Sequence, residues 1–246
     1  IAALRKYFSK HAYQNTTLSD LIVQLEATSG RDLTEWVRTW LRTAGVNTLS
    51  PVLEIEGDVY KSIKVKQLAP TMPVGSTELR PHRLKVGLYD IANDKLSRRK
   101  NVELDIAGAL TEVTGLAGEK AADLVLVNDG DQTYAKLRFD DRSIATMKSH
   151  LGKLDDSLSR GLIWASLWDS TRDGELAASD YVTIALNALA GETDITTVTM
   201  TVTQIEGAIW SFASDANREK LREQAANAFE KFFDSATAGS DHQLQY

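Results

Sequence analysis

The chain has 246 residues, with 28 Lys and Arg against 34 Asp and Glu, which gives a net charge of −6. The absence of Cys excludes disulfides, thiolate zinc sites, a Cys nucleophile and iron–sulfur clusters. The negative charge argues against a protein that binds nucleic acid by neutralising phosphates. With 43% hydrophobic and 25% charged residues, the composition is typical of a soluble globular protein of about one to two domains.

Residues 1–50 have the periodicity of helices, starting from the first residue. Thr17–Asp20 (T-L-S-D) is an Asp variant of a helix capping box, and Gly30 is a residue type that commonly ends a helix. Asp32–Glu35 is a second start signal, and Gly45 would end that second helix. Apolar residues after each start recur at helical spacing. This pattern predicts two antiparallel helices with a very short connection between them.

Residues 51–140 change to the alternating pattern of β-strands. Apolar and polar side chains alternate at 83–88, and 124–127 is a short apolar run. The sequence N-D-G-D at 128–131 separates that run from a further alternation at 135–139. Two such segments around N-D-G predict a β-hairpin. About seven strands in this stretch predict an antiparallel β-sandwich.

From residue 141 the helical period returns and continues to the end of the chain. Five helical segments in series predict the start of an α-helical, solenoid-like array. No apolar run reaches the length of a membrane span, so we expect no membrane partner. The sequence therefore predicts a mixed α+β multidomain fold. We expect both ends to have been cut from a longer protein.

The four His residues do not have the spacing of metal ligands. The zinc motif H-E-x-x-H is absent, and so are the nucleophile motif G-x-S-x-G and the Gly-rich phosphate loops. His11, His82, His150 and His242 are predicted to lie on the surface or at an interface. We assign no catalytic, cofactor-binding or metal-binding residue within this chain. A hydrolase with a dispersed Ser–His–Asp triad stays open, because spacing alone does not exclude it.

Paired carboxylates precede two helical segments, at Asp140–Asp141 and Asp155–Asp156. Such residues cap helix N-termini, and we favour this role over general acid–base chemistry. Asp129 and Asp131 flank Gly130 and are candidate calcium ligands. A turn fits them better, because the calcium loop of an EF-hand needs more oxygen ligands and a Glu at its twelfth position.

A basic cluster contains Arg80, His82, Arg83 and Lys85, with R-R-K at 98–100 nearby in the sequence. It is either a patch that binds a polyanion or, as we favour, the solvated face of a sheet.

Two other patterns have a structural and a functional interpretation. Trp36 and Trp40, like Trp164 and Trp168, are spaced i, i+4 on predicted helices, which favours packing over a platform for ligand stacking. The glycosylation sequon at 15–17 is better explained by Thr17 as a helix cap.

Longer strings carry more specific information, and they occur in order along the chain. They are YFSKHAYQNTTLSDL at 7–21, SGRDL at 29–33, WVRTWLRTAGVN at 36–47, RPHRLKVGLYD at 80–90, VNDGDQTYAK at 127–136, WASLWDSTRDGEL at 164–176 and GSDHQLQ at 239–245. The first three resemble the end of the catalytic domain in zinc aminopeptidases of the aminopeptidase N family. The next two resemble the sandwich domain of its actinobacterial branch, and the last two resemble its C-terminal helical domain.

The resemblance implies a C-terminal portion of a zinc-dependent aminopeptidase that removes N-terminal residues from peptides. Residues 1–50 would be the last helices of the catalytic domain, 51–140 the sandwich, and 141–246 a truncated helical domain. The family binds Zn²⁺ through H-E-x-x-H and a downstream Glu and holds the substrate amine with a G-x-M-E-N-type strand. These motifs are absent here, so no catalytic or zinc residue is carried over and no zinc is expected in this chain alone.

The resemblance also implies what this part does and where it acts. It would scaffold and enclose the active site, in contact with the missing catalytic domain, and it would be inactive on its own. Peptides would be the substrates of the parent protein, which we expect to be cytoplasmic and without a nucleic-acid partner. The alternative is an independent module that binds peptides or proteins without catalysis.

Overall fold

The computed structural model describes residues 1 to 246, and the chain begins with three helices: α1 (Ala2–Lys10), α2 (Leu18–Ser29) and α3 (Thr34–Leu41). The capping box of α2 is present, since the Thr17 backbone N–H donates to the Asp20 carboxylate at 2.8 Å. α1 packs against α2, whereas α2 and α3 flank an open groove of about 480 Å³. Only Ala3 and Thr39 are buried within residues 1–46, so this part has almost no core of its own.

Seven strands follow: β1 (Thr48–Glu56), β2 (Val59–Leu68), β3 (His82–Ala92), β4 (Lys95–Ile106), β5 (Leu110–Glu112), β6 (Leu124–Val127) and β7 (Lys136–Leu137). One sheet has the order β5-β2-β1-β7 and the other the order β4-β3-β6. All strand pairs are antiparallel except β1 with β7. Residues such as Leu49, Val65 and Val86 form one apolar core between the two sheets. We call this part of the chain the two-sheet unit.

The hairpin predicted around residues 128–131 is wrong. β6 pairs with β3 in one sheet and β7 pairs with β1 in the other, so this turn connects the sheets. Asn128 adopts a positive φ of 64°, and its side-chain oxygen accepts the backbone N–H groups of Gln132 and Thr133. The loop therefore folds onto Asn128 instead of leading directly into an adjacent strand. The N-D-G sequence marks a turn, but it does not determine which sheet the next strand joins.

The remainder is helical: α4 (Asp141–His150), a 3₁₀ turn (Leu151–Lys153), α5 (Ser157–Arg172), α6 (Ala178–Leu189), α7 (Ile195–Gly207), a π-helical turn (Ala208–Phe212), α8 (Asp215–Ser235) and α9 (Asp241–Gln245). Asp140 and Asp156 cap α4 and α5 as predicted, accepting backbone N–H groups of Ser143 and Leu158. We call residues 141–245 the helical array. One apolar cluster of 24 buried residues runs through it.

The helical array packs on the outer face of the second sheet. The sequence predicts a half-buried strand at 83–88, but β3 is buried on both faces from Val86 to Tyr89. Leu88 belongs to the core between the sheets, whereas Tyr89 belongs to the core of the helical array. The alternation of residues along one strand predicts one buried face. The second face of β3 is buried because helices from a later part of the chain pack on it.

The nine helices and two largely antiparallel sheets confirm the predicted mixed α+β class. None of the helices combines the length and the apolar character that a membrane span requires.

Candidate functional site

Two buried polar junctions connect the parts of the chain. The first joins α3 to the two-sheet unit around Arg80. The second joins the two-sheet unit to the helical array around Asp129. No group of three or more His, Asp or Glu side chains is placed to hold a metal ion. The residues present therefore do not fit the zinc that the family resemblance implies.

Arg80 is the centre of the first junction and is 3% exposed. Its Nε donates to the Thr39 carbonyl at 2.8 Å, and its two terminal nitrogens donate to Asn47 Oδ1 at 2.9 Å and Thr43 Oγ1 at 2.7 Å. A further bond reaches the Ala44 carbonyl at 3.2 Å. These acceptors lie in and after the last turn of α3, where the free carbonyls carry the negative end of the helix dipole. The helix end thus takes the place of a carboxylate partner for this buried guanidinium.

His82 lies beside Arg80 and is buried as well, which corrects the prediction of four surface or interface histidines. Its Nε2 lies 3.0 Å from Gln67 Oε1, and its Nδ1 lies 2.7 Å from Thr133 Oγ1. The Gln67 amide nitrogen donates to the Gly108 carbonyl, so its oxygen faces His82 and accepts a proton from Nε2. Burial, and then the charge of Arg80, lower the pKa of His82 to about 4. The ring is therefore neutral near pH 7 and serves as a fixed hydrogen-bonding bridge.

The basic cluster predicted from the sequence is neither a polyanion patch nor a uniformly solvated face. Arg80 and His82 point into the junction. Arg83 pairs across the sheet with Glu103 and Asp105 at 3.0 and 2.9 Å. The three residues at 98–100 pair with carboxylates too. The strand pattern did not reveal the burial of Arg80, because Arg80 lies before β3 in a Pro-containing loop. His82 is the first residue of β3 and shares a strand face with the buried Leu84 and Val86, so alternation could have indicated its burial.

Asp129 is the centre of the second junction and is fully buried. Arg98 on β4 donates from Nη1 to both carboxylate oxygens at 2.9 Å, and the Tyr89 hydroxyl donates at 2.8 Å. Gly87 provides the space for this arrangement, since a Cβ there would lie 2.6 Å from Asp129 Oδ2. Asp129 therefore forms an ion pair with Arg98 and is not a candidate calcium ligand.

The same junction continues into α5. The Tyr89 hydroxyl lies 2.9 Å from Ser159 Oγ, and Ser159 donates to the capping carboxylate of Asp156 at 2.8 Å. Burial raises the pKa of the Tyr89 hydroxyl, so it stays protonated and available as a donor. Burial opposes ionisation of Asp156, but the hydrogen bonds from Ser159 and the helix N–H groups outweigh it and lower the pKa of this carboxyl.

A third polar contact is fixed by β7 and the end of α5. Lys136 Nζ and Arg138 Nη2 each lie 2.6 Å from Asp173 Oδ2, and Arg138 also binds Glu175. These pairs bring the first sheet to the helical array at a second point. The array is therefore held to the two-sheet unit by contacts from both sheets.

The tryptophans at i, i+4 spacing have separate roles. The Trp40 ring contacts His82 edge-on at a centroid distance of 5.2 Å, with the Arg80 guanidinium 5.6 Å away. Trp168 packs on Tyr181 and Trp164 is buried in the array core. Packing, as predicted, explains these three residues.

Ser149, His150 and Asp94 form a Ser–His–Asp grouping that bears on the predicted alternative of a dispersed triad. Ser149 Oγ lies 2.8 Å from His150 Nδ1, and His150 Nε2 lies 3.5 Å from Asp94. However, Lys153 Nζ donates to Asp94 Oδ1 at 2.6 Å, so this carboxylate is already paired. Ser149 also lies in the last turn of α4, where carbonyl dipoles disfavour a developing oxyanion. The geometry does not support nucleophilic catalysis at this position.

Taken together, the fold and its junctions define a class of protein: a mixed α+β protein of three parts, in which buried polar groups connect the first helices, the two-sheet unit and the helical array. Comparison with known proteins identifies the family. The ERAP1-like C-terminal domain family matches residues 124–246. Aminopeptidase N from Streptomyces lividans is 44% identical over 248 aligned residues, which cover 99% of this chain and 29% of that protein. The chain belongs to this aminopeptidase N family, and it spans less than a third of the length of that relative.

The family match begins at residue 124, which is the first residue of β6 and not of a helix. The contacts explain this boundary. Leu124 and Leu126 are buried in the core of the helical array, and the Val125 N–H donates to Ser143 Oγ of α4 at 2.9 Å. β6 therefore lies in the second sheet but packs as part of the array.

Proposed function

We propose that this chain is a non-catalytic part of a zinc-dependent aminopeptidase that removes N-terminal residues from peptides. The observation that carries the proposal is the 44% identity, over 99% of this chain, to Streptomyces lividans aminopeptidase N. We assign residues 1–50 to the end of the catalytic domain, 51–140 to a β-sandwich domain and 141–246 to the first part of a solenoid-like helical domain. We also place the parent enzyme in the cytoplasm.

The role that we propose for this part is to scaffold and enclose the active site. The two buried junctions support this role, because a peptidase domain needs a fixed neighbour if that neighbour is to limit access. Arg80 holds the helices α1–α3 against the two-sheet unit, and Asp129 holds the helical array on its other side. The zinc ligands would then come from the remainder of the catalytic domain, which α1–α3 would contact within the same polypeptide.

A chimera tests this proposal directly. The chain replaces the matched segment of Streptomyces lividans aminopeptidase N, and hydrolysis of aminoacyl-arylamides and zinc content are measured. We expect a chelator-sensitive activity and one zinc per chimera, and neither in the isolated chain. A control protein that lacks the segment shows whether the activity depends on it. A folded, zinc-loaded chimera without activity would contradict the proposal and favour an independent binding module.

A further inference from the structure

The helices α6 and α8 of the helical array pack side by side and leave a groove between them at the surface. The two halves of this groove meet at Thr183 and Gln224, so it is continuous along both helices. Exposed polar residues at alternating spacings of three and four positions line it from α8, and this spacing places them in one row on the helix. We call it the α6–α8 groove, and its row on α8 is Asn217, Lys220, Gln224, Asn227 and Lys231.

The charges of α8 are divided between the two sides of the helix. None of the residues that line the α6–α8 groove is a carboxylate, whereas Glu219 and Glu223 line the groove on the other side of α8. The ion pairs of α8 involve its two arginines, and they leave Lys220 and Lys231 without a carboxylate partner. The α6–α8 groove is therefore positive, although the chain as a whole carries a charge of −6.

The side-chain amides of the groove are free to bind a ligand. The side-chain hydrogen bonds of α8 come from its two arginines and one serine, so Asn217, Gln224 and Asn227 keep both their donors and their acceptors. Asn187 of α6 donates to the Lys148 carbonyl at 2.8 Å and keeps its oxygen free. A primary amide offers a donor and an acceptor together, which suits the unpaired main chain of an extended peptide. A bound helix would not use these amides, because its main-chain groups are paired internally.

The two lysines determine the spacing of the acidic groups that the groove can bind. Lys220 and Lys231 are separated by about 16 Å along the axis of α8. A single carboxylate does not reach both lysines over this distance. An extended chain covers the same distance in about five residues. The groove therefore fits a segment whose acidic residues are about four to six positions apart.

We propose that the α6–α8 groove binds an extended acidic segment within the chain of another protein. The side-chain amides bind the main chain of this segment, and Lys220 and Lys231 pair with two of its carboxylates. The proposal goes beyond the aminopeptidase function and does not rest on it. The groove has no carboxylate to pair with a free peptide amine, so we assign it to an internal segment and not to the N-terminus of a substrate. Two cations this far apart are too few to neutralise the phosphates of a nucleic acid.

Binding of short peptides to the chain tests the proposal. The probe is an octapeptide of Ser and Thr, blocked at both ends, with Glu at its second and seventh positions. One control peptide has Gln at these two positions, and the other has its two Glu residues adjacent in the middle. At low salt, we expect the probe to bind at least about fivefold more tightly than either control, and added NaCl should reduce its advantage over the Gln peptide. Equal binding of the three peptides would overturn the proposal.

Charge-removing variants show where the probe binds. The variant K220Q/K231Q should bind the probe as weakly as the unmodified chain binds the Gln peptide. The matched control K64Q/K66Q removes two cations from the first sheet, and it should keep the affinity for the probe unchanged. An equal loss of affinity in the two variants would mean that only the net charge of the chain matters, which would contradict a specific groove.

The role of the amides is tested separately. The variant Q224A/N227A should bind the probe and both control peptides more weakly, because the main chain of every peptide loses the same hydrogen-bonding partners. In NMR spectra of the unmodified chain, the side-chain amide signal of Asn217 should shift when the probe is added. Full affinity in Q224A/N227A, or binding of the probe without this shift, would refute the proposed contacts with the main chain.

Two further outcomes would assign the groove to another occupant and thereby contradict the proposal. The first is tighter binding of the same probe when its N-terminal amine is free, since this would indicate a peptidase substrate. The second is a dimer of the chain that K220Q/K231Q dissociates, since this would indicate a second copy. An inactive chimera would refute the aminopeptidase function and leave the peptide result intact, so the two proposals fail independently.

Discussion

Arg80 and Asp129 are both buried charges, and the fold stabilises them in different ways. The guanidinium of Arg80 spreads its charge over five N–H donors and is weakly hydrated, so neutral oxygens at a helix end suffice. The carboxylate of Asp129 concentrates its charge on two oxygens and receives a full cation, Arg98, together with the Tyr89 hydroxyl. Removal of a partner at either site leaves a buried polar group with fewer hydrogen bonds than it has in the native structure.

The substitution Asp129→Asn tests that argument. It replaces the buried carboxylate with a neutral amide and leaves Arg98, whose side chain is 38% exposed, without its counter-ion, so we expect a loss of about 2 kcal/mol in the free energy of unfolding. Urea denaturation measures it. The control is Asp105→Asn, which breaks an ion pair on the exposed face of the sheet and should cost less than about 1 kcal/mol. Equal losses in the two variants would refute the role of Asp129 as a buried anchor.

His82 predicts how stability depends on pH. Its pKa is about 4 in the folded protein and about 6.5 when unfolded, so the unfolded chain binds the extra proton first as the pH falls. The free energy of unfolding should therefore rise from pH 4 to pH 6.5, by up to about 3 kcal/mol. In the variant His82→Gln, the free energy of unfolding should depend less steeply on pH between pH 4.5 and 6.5. In His242→Gln, this dependence should stay unchanged. An unchanged slope in His82→Gln would contradict this assignment.

Helix starts are the elements that the sequence predicts best, because a cap is a local interaction. Asp140 accepts the Ser143 N–H at 3.1 Å, and Ser143 in turn accepts the Val125 N–H of β6. The neighbouring Asp141 lies in the first turn but makes no such bond. The capping group therefore also connects α4 to β6.

Asp140→Ala and Asp141→Ala are a matched pair at that helix start. We expect the first to lower the free energy of unfolding by about 1–2 kcal/mol, because it removes the cap and frees Ser143. The second should change it by less than about 0.5 kcal/mol, since only a dipole contribution is lost. Thermal or urea unfolding measures both. A loss in Asp141→Ala as large as in Asp140→Ala would show that the paired carboxylates act by charge alone.

What the sequence did not predict depends on contacts between distant residues. The helical periods and the cap at Asp156 are local, and they agree with the structure. The partner of β7 and the second buried face of β3 are set by segments that are not adjacent in the chain. Arg80 and His82 are likewise buried by distant segments, since Arg80 binds the Thr39 carbonyl of α3 and His82 contacts Trp40. Periodicity carries no information on these contacts, except that His82 shares a strand face with the buried Leu84 and Val86.

At the scale of the whole molecule, the two junctions attach different parts of the chain to the two-sheet unit. The helical array shares apolar cores with the second sheet and is held by Asp129 as well. The helices α1–α3 bury only two residues before position 47, so the Arg80 junction carries a larger share of their attachment. Loss of Arg80 should therefore release one part of the molecule and leave the rest intact.

Arg80→Met tests this division. The Met side chain fills much of the volume but leaves the Thr39 carbonyl and Asn47 Oδ1 without their donor. We expect local opening of α3 to become easier by about 2 kcal/mol, which is roughly 30-fold faster amide exchange there. Exchange in α5 and α6 should stay within about twofold of the unmodified chain. Arg83→Met, which removes exposed ion pairs on the same strand region, is the control and should leave α3 unchanged. Faster exchange throughout the molecule in Arg80→Met would show that the three parts open as one unit, and that the junction is not a local attachment of α1–α3.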